Sequence, residues 1–317
     1  MKIIKKIWQQ IRCSYLYWCR NALLINAYVD DDTWTGIRHS NWGDDLNYYF
    51  ISHLTKRPIV FLHRFWLAKK LNFRNYLCIG TLLDAVNYSR ESTIVWGTGV
   101  SGQDRLFTIP KEIRSVRGKK SIEFLQQKNM PYPALVGDPA LILPLFYQPK
   151  NKEKKYKLGI IPHVIDLEHP IIKQIQSENS NEVLIINLSK FEKWTDIIDQ
   201  ICSCECIASS SLHGLITSDT YGVPNCWIEL SDKISGGHFK FYDYASSVNR
   251  TFNGPITMHT DIDKLIEIIE DILGINKVND LIVVGYGKMG EMITSNSKVL
   301  GKGFRIVGVF DNDPQKI

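Results

Sequence analysis

Apolar residues recur every three or four positions near the start of the chain. Ile3, Ile4, Ile7, Trp8, Ile11, Tyr15 and Trp18 predict one stripe of a helix over residues 2–22. The charges there are Lys2, Lys5, Lys6, Arg12 and Arg20, all basic. Such a helix can lie on an anionic membrane surface with its aromatics at headgroup level, or pack its stripe on the first domain. From Asn41 onward the pattern alternates. Asp44 to Leu54 predicts a helix with Leu46, Tyr49, Phe50 and Leu54 on one face. Tyr76–Ile79 and Thr93–Trp96 are short apolar runs ended by Gly80 and Gly97, the pattern of buried parallel strands. Ile113–Val116 is another, followed by a helix around Ser121–Gln127.

Gln148–Lys157 interrupts this rhythm with Lys150, Lys152, Lys154, Lys155 and Lys157, and reads as an exposed hinge. The alternation then resumes. Leu158–Pro162, Val183–Leu188, Cys206–Ala208 and Asn225–Glu229 are strand-like; Trp194–Ile201, Leu212–Tyr221 and Ile262–Leu273 are helical. The pattern predicts an α/β protein of two Rossmann-like parallel-sheet lobes, residues 1–150 and 151–275, with a ligand cleft between the strand ends.

Composition narrows the class without naming a reaction. The chain has 317 residues, 44% hydrophobic and 22% charged, which suits a globular protein with a real core. A formal charge of +5 is too small to argue for nucleic acid. No apolar run approaches the ~18 residues of a membrane-spanning helix. The first apolar stretch is broken by Lys5, Lys6, Gln9, Gln10 and Arg12, unlike a signal peptide. Seven irregularly spaced cysteines suggest reduced thiols in the cytoplasm. Cys202, Cys204 and Cys206 alternate, so on one strand they would share a face; with no matching second pair they imply small buried hydrophobes and no metal set.

Four segments can carry chemistry. In Ala208–Ile216 a buried strand ends in Ser209, Ser210 and Ser211, and a helix starts at Leu212 and stops at Gly222 and Pro224. That start offers N–H and hydroxyl donors to a phosphate or carboxylate. His213, in its first turn, is disfavoured as imidazolium by the helix dipole until a bound anion reverses the balance and arms it as a general acid. Ordinary capping by serine is the plainer use of the same turn. In Asn41-Trp42-Gly43-Asp44-Asp45-Leu46, Asn41 or Asp44 can cap a helix and Gly43 permits close approach of a ligand. Asp44 and Asp45 offer a base or simply complement the dipole. Gly97-Thr98-Gly99 is a glycine-rich loop after a strand, and Arg117, beyond Ile113–Val116, can grip a phosphate or carboxylate in bidentate fashion.

Together these segments resemble the polysaccharide pyruvyl transferase family. The matching stretches are Asn41–Leu46, Gly97–Gly99, Ser115–Gly118, Gly137-Asp138-Pro139-Ala140, Ser209–Ile216 with Tyr221–Pro224, and Lys240-Phe241-Tyr242-Asp243-Tyr244. They run in the expected order from about Asn41 to Val248. The resemblance implies a fold similar to the two-lobed GT-B glycosyltransferases. It also implies transfer of a pyruvyl group from phosphoenolpyruvate to two hydroxyls of a sugar, giving a cyclic ketal without any cofactor. The acceptor would be a surface polysaccharide or lipid-linked precursor, met in the cytoplasm, with peripheral membrane contact through residues 2–22. By motif position Arg117, Ser210, Ser211 and Leu212 hold the donor and His213 is the acid, with His163 a further match and Asp44 or Asp45 the base. Some members carry an arginine where Ser211 stands; Arg117, Lys233 and Lys240 are the candidate replacements, and a member that has lost activity is a further reading.

Residues 279–317 fall outside this resemblance. Leu281–Val284 followed by Gly285, Gly287 and Gly290, then Arg305–Phe310 and Asp311, resembles the opening βαβ of a nucleotide-binding domain, cut short before a sheet can form. Two other functions fit these patterns: a GT-B glycosyltransferase using a nucleotide-sugar donor, and a nucleotide sensor acting through Gly285–Gly290.

Overall fold

The structure is a computed structural model that describes residues 2–32, 36–105, 107–151, 153–233, 237–258, 261–273, 279–284, 288, 291 and 304–311. It divides into two compact units, Met1–Thr260 and Asp261–Ile317.

The first unit opens with α1 (Lys2–Cys19), β1 (Leu23–Ile25), the antiparallel pair β2 (Asp31–Asp32) and β3 (Gly36–Ile37), and α2 (Trp42–Thr55). It continues with β4 (Ile59–Phe61), α3 (Trp66–Lys70), β5 (Asn75–Leu77), β6 (Thr93–Trp96), β7 (Glu112–Val116), α4 (Lys119–Gln127) and β8 (Leu135–Val136). A parallel six-stranded sheet of order β4-β1-β5-β6-β7-β8 results.

After residues 148–155 come β9 (Tyr156–Ile161), α5 (Pro170–Glu178), β10 (Val183–Ile185), α6 (Asp196–Cys202), β11 (Cys204–Ser209), α7 (Leu212–Thr220), β12 (Asn225–Glu229), α8 (Phe239–Ser247) and β13 (Ile256–Thr257). These build a second parallel sheet, β10-β9-β11-β12-β13. The lysine-rich connection is tied down at its end: Lys154 Nζ donates to the carbonyls of Cys202 and Cys204.

Alternation along β1 shows how three residues can sit at the centre of a sheet. Leu23 and Ile25 join the large core that α2 covers, while Leu24 points the other way with Cys13, Val60, Leu62, Phe65 and Ala68. The sequence pattern carried the first helix to residue 22 and skipped this strand. The helix ends at Cys19, and Asn21 adopts a left-handed backbone (φ 51°) that turns the chain into β1. Helix α1 packs on the sheet, but through Cys13, Leu16 and Tyr17; its predicted stripe is exposed. The expected one-faced row of cysteines is also revised, because Cys202 closes α6 and only Cys204 and Cys206 lie on β11.

The second unit contains α9 (Ile262–Leu273) and a parallel pair, β14 (Asn279–Val284) with β15 (Phe304–Phe310). Gly285, Gly287 and Gly290 lie outside the described residues.

Candidate active site

Strand order reverses once in each sheet of the first unit. The chain passes from β1 to β4 on one side and returns to β5 on the other; likewise from β9 to β10 and back to β11. Loops leaving the carboxyl ends at such a reversal diverge and open a crevice. Of the sequence candidates, His163 after β9 and Ser210 and Ser211 after β11 follow the ends at the second reversal, while Gly97–Gly99 after β6 and Arg117 after β7 follow carboxyl ends farther along the first sheet. The backbone N–H of His163 bridges the second reversal, donating to Ser210 Oγ at 2.8 Å.

Helix α2 starts in a fixed orientation. Asn41 is its N-cap: Oδ1 accepts from the N–H of Gly43 at 3.2 Å, and Nδ2 donates to Asp44 Oδ2 at 2.9 Å. Trp42, fully buried, donates its backbone N–H to the Leu188 carbonyl and its indole N–H to that of Trp194, tying this turn to the loop beyond β10. The first turn of α2 is thereby held against the first turn of α7. The Gly43 backbone lies so close to the His213 imidazole that a methyl group there would overlap the ring. On the α7 side Ser209 Oγ accepts from the Ser211 N–H at 3.0 Å, Ser211 caps the helix without a side-chain hydrogen bond, and Leu212 is buried.

The charges around this contact act on one another. His213 is 8% exposed, and its Nε2 has no hydrogen-bond partner. Burial, then Arg117 and Lys240, push its pKa down to about 3, so the ring is neutral at pH 7. His163, half-buried, is lowered to about 4 by burial and then Lys240. Burial raises Asp44 to about 7 against the opposing pull of Lys240 and the Asn41 amide. Lys240 is lowered to about 8 by burial and Arg117, with Asp44 working the other way. Asp44, His163, His213 and Lys240 therefore form one electrostatic cluster. Lys233 is exposed on the loop after β12.

Asp45 points elsewhere. Its carboxylate is fully buried, 3.5 Å from His39 Nδ1, and neither oxygen has a hydrogen-bond partner. Burial, with Asp44 and Asp30, raises it to about 8.

Arg117 was expected to grip a ligand, but it is fully buried and held within the protein. Its Nε and Nη2 both lie 3.0 Å from Asp243 Oδ2, and Nη1 donates to Thr81 Oγ1 at 2.8 Å. Longer contacts of 3.4 Å reach the carbonyls of Gly80 and Val100. Its charge reaches the cluster across space; its hydrogen bonds do not. Thr98 and the glycines beside it serve this frame. Thr98 Oγ1 donates to the Gly80 carbonyl and accepts from Leu82 N–H, while Gly99 leaves room for the Arg117 guanidinium and Gly97 (φ 93°) for Pro139. Asp243, which pairs with Arg117, and Asp138 are not among the sequence candidates, although both lie in motifs that carried the resemblance. Asp138 caps the 3₁₀ turn Pro139–Leu145, and burial lifts its pKa to about 6.

A cleft of about 610 Å³ lies within electrostatic reach of Asp44, lined among others by Asn26, Tyr28, Asp30, Ser40, Asn87 and Tyr88. The Asp44 charge, after burial and Tyr28, helps raise the Tyr88 hydroxyl above its ordinary range.

Comparison with known proteins gives two separate likenesses. Over 232 residues the chain is 29% identical to uncharacterized protein L143 of Acanthamoeba polyphaga mimivirus, covering 72% of this chain and 75% of that one. A 57-residue stretch is 42% identical to redox-sensing transcriptional repressor Rex 1 of Thermotoga maritima, and 53 residues are 43% identical to the Rex repressor of Caldicellulosiruptor saccharolyticus. Those matches cover 18% and 17% of this chain and about a quarter of each repressor, 27% and 24%. The family described as polysaccharide pyruvyl transferase matches residues 30–232, which include the reversal at β9 and the meeting of α2 with α7. On that match, the chain belongs to the polysaccharide pyruvyl transferase family.

Proposed function

We propose that the chain transfers the pyruvyl group of phosphoenolpyruvate to two hydroxyls of a saccharide in a polysaccharide or its precursor, forming a cyclic ketal and releasing phosphate. The observation that carries this reading is the contact of Gly43 with His213. It brings together two helix starts, each with the positive end of its dipole, beside Lys240. A small donor bearing both phosphate and carboxylate suits that field.

The same field explains how protons move. A neutral His213 gains a proton when the anionic donor offsets Arg117 and Lys240, and passes it to the vinyl carbon. The adjacent carbon becomes electrophilic, and a sugar hydroxyl attacks it while Asp44, poised near pH 7, takes the hydroxyl proton. Attack by the second hydroxyl closes the ketal as phosphate leaves with the remaining proton. Arg117 supports this chemistry as a fixed buried charge, and Asp45 as a buried neighbour of Asp44. The cleft bounded by Tyr28 and Tyr88 offers rings and amides of the kind that receive a saccharide.

The test is phosphate release from phosphoenolpyruvate across a panel of saccharide acceptors. The expected result is release that requires one class of acceptor and yields a product heavier by one pyruvyl group. Consumption of a nucleotide-sugar instead, with phosphoenolpyruvate untouched, overturns the reading.

A further inference from the structure

Helix α1 presents two different faces. At about 100° per residue, Cys13, Leu16 and Tyr17 occupy one side, and that side is fastened to the first sheet. Tyr17 stacks on Phe73 at 5.3 Å, and Gln10 donates to the Arg64 carbonyl. The seven apolar side chains from Ile3 to Trp18 gather on the other side, within an arc of about 140°. Every one of them is more than half exposed, Ile3 reaching 74%. An amphipathic helix on a globular protein normally turns that stripe inward. Here it is turned to solvent, and the sheet is covered by the narrower face.

We propose that the outward face of α1 docks on an anionic lipid bilayer. Charge selects this occupant. The first acidic residue of the chain is Asp30, so α1 carries only basic groups, with Lys5, Lys6 and Arg12 flanking the apolar arc. Two copies apposed through the arc would bring these cations together, whereas anionic headgroups neutralise them. The aromatics fit the same partner, because Trp8, Tyr15 and Trp18 are side chains that settle at the boundary between headgroups and acyl chains. The surface also continues beyond the helix. A groove beside Ile3, Lys6 and Ile7 is bounded by Arg64 and Trp66; Trp66 is 59% exposed and carries the Lys70 ammonium 5.1 Å above its ring. Among the described residues no helix is long and apolar enough to cross a membrane, so the contact lies in the plane of the interface.

The experiment is co-sedimentation of the full chain with vesicles of phosphatidylcholine alone and of equal parts phosphatidylcholine and phosphatidylglycerol. Binding to the anionic vesicles only is expected. Ile4→Asp with Ile11→Asp, both at exposed positions, should abolish it without altering the circular dichroism. Lys5→Gln with Lys6→Gln should lower partitioning about thirtyfold, from roughly 1 kcal/mol for each charge removed. Failure to bind anionic vesicles overturns the proposal. So does a dimer, seen by light scattering, that Ile4→Asp with Ile11→Asp converts to monomer while no vesicle binding is seen. Neither readout involves turnover, so failure here leaves the catalytic reading untouched.

Discussion

The first turns of α2 and α7 touch, and they are equipped in opposite ways. Helix α2 brings two carboxyl groups whose pKa burial raises, Asp44 to about 7 and Asp45 to about 8, whereas α7 brings an imidazole that burial and two cations keep deprotonated at pH 7. An arriving anion would push both pKa values up, helping His213 to take a proton and helping Asp44, partly ionised at neutral pH, to hold one that it receives. A buried imidazole held neutral can be charged by an anionic ligand, whereas a buried carboxyl beside the same ligand only holds its proton more firmly. The two acids of α2 differ as well: Asp44 joins the cluster and Asp45 faces His39.

That contrast can be broken most directly in the reaction itself. His213→Ala and Asp44→Asn should each reduce phosphate release by about 10² to 10⁴-fold with little loss of thermal stability. Undiminished turnover in a folded variant removes that residue from the mechanism. Arg117 makes a different kind of contribution. Arg117→Ala leaves Asp243 buried without its partner and should cost about 3–5 kcal/mol of stability in denaturant titration. An unchanged midpoint would show that this charge pair is not structural. The smallest effect separates the acids. Because the folded protein holds the Asp45 proton to about pH 8, stability is lost as pH rises from about 4 toward 8. Asp45→Asn should therefore raise the melting temperature at pH 8 and hardly at pH 4. An equal shift at both pH values would mean that Asp45 is ionised in the fold.

Much of this architecture is legible along the chain. Thr93–Trp96 is found as read, Leu212 does open a helix after the serines, and Asn41 caps α2, because each depends on neighbours within a few residues. The strand β1 was hidden: three apolar residues directly after an apolar-periodic helix extend its pattern without a break. What pattern cannot show is which distant residues meet. Gly43 and His213 are placed together by two sheets and by the Trp42 hydrogen bonds, and Arg117 finds Asp243 across 126 positions. Arg117 was read as a ligand clamp because a strand-end arginine looks the same whether its partner is a substrate or a buried aspartate.

Helix α8 joins what the two sheets would otherwise keep apart. Asp243 reaches Arg117 and Ser121 on the first sheet's side, while Phe241 stacks on Trp227 of β12 at 4.3 Å and Tyr244 donates to Asp219 of α7. During synthesis, residue 243 emerges from the ribosome long after the whole first sheet. Until then Arg117 lacks the carboxylate it pairs with in the fold, and Gly118 the helix packed on it. Residues 1–150 by themselves would therefore leave Arg117 without Asp243 and Gly118 without α8, so the amino-terminal half completes its own buried charge pair only with sequence made much later.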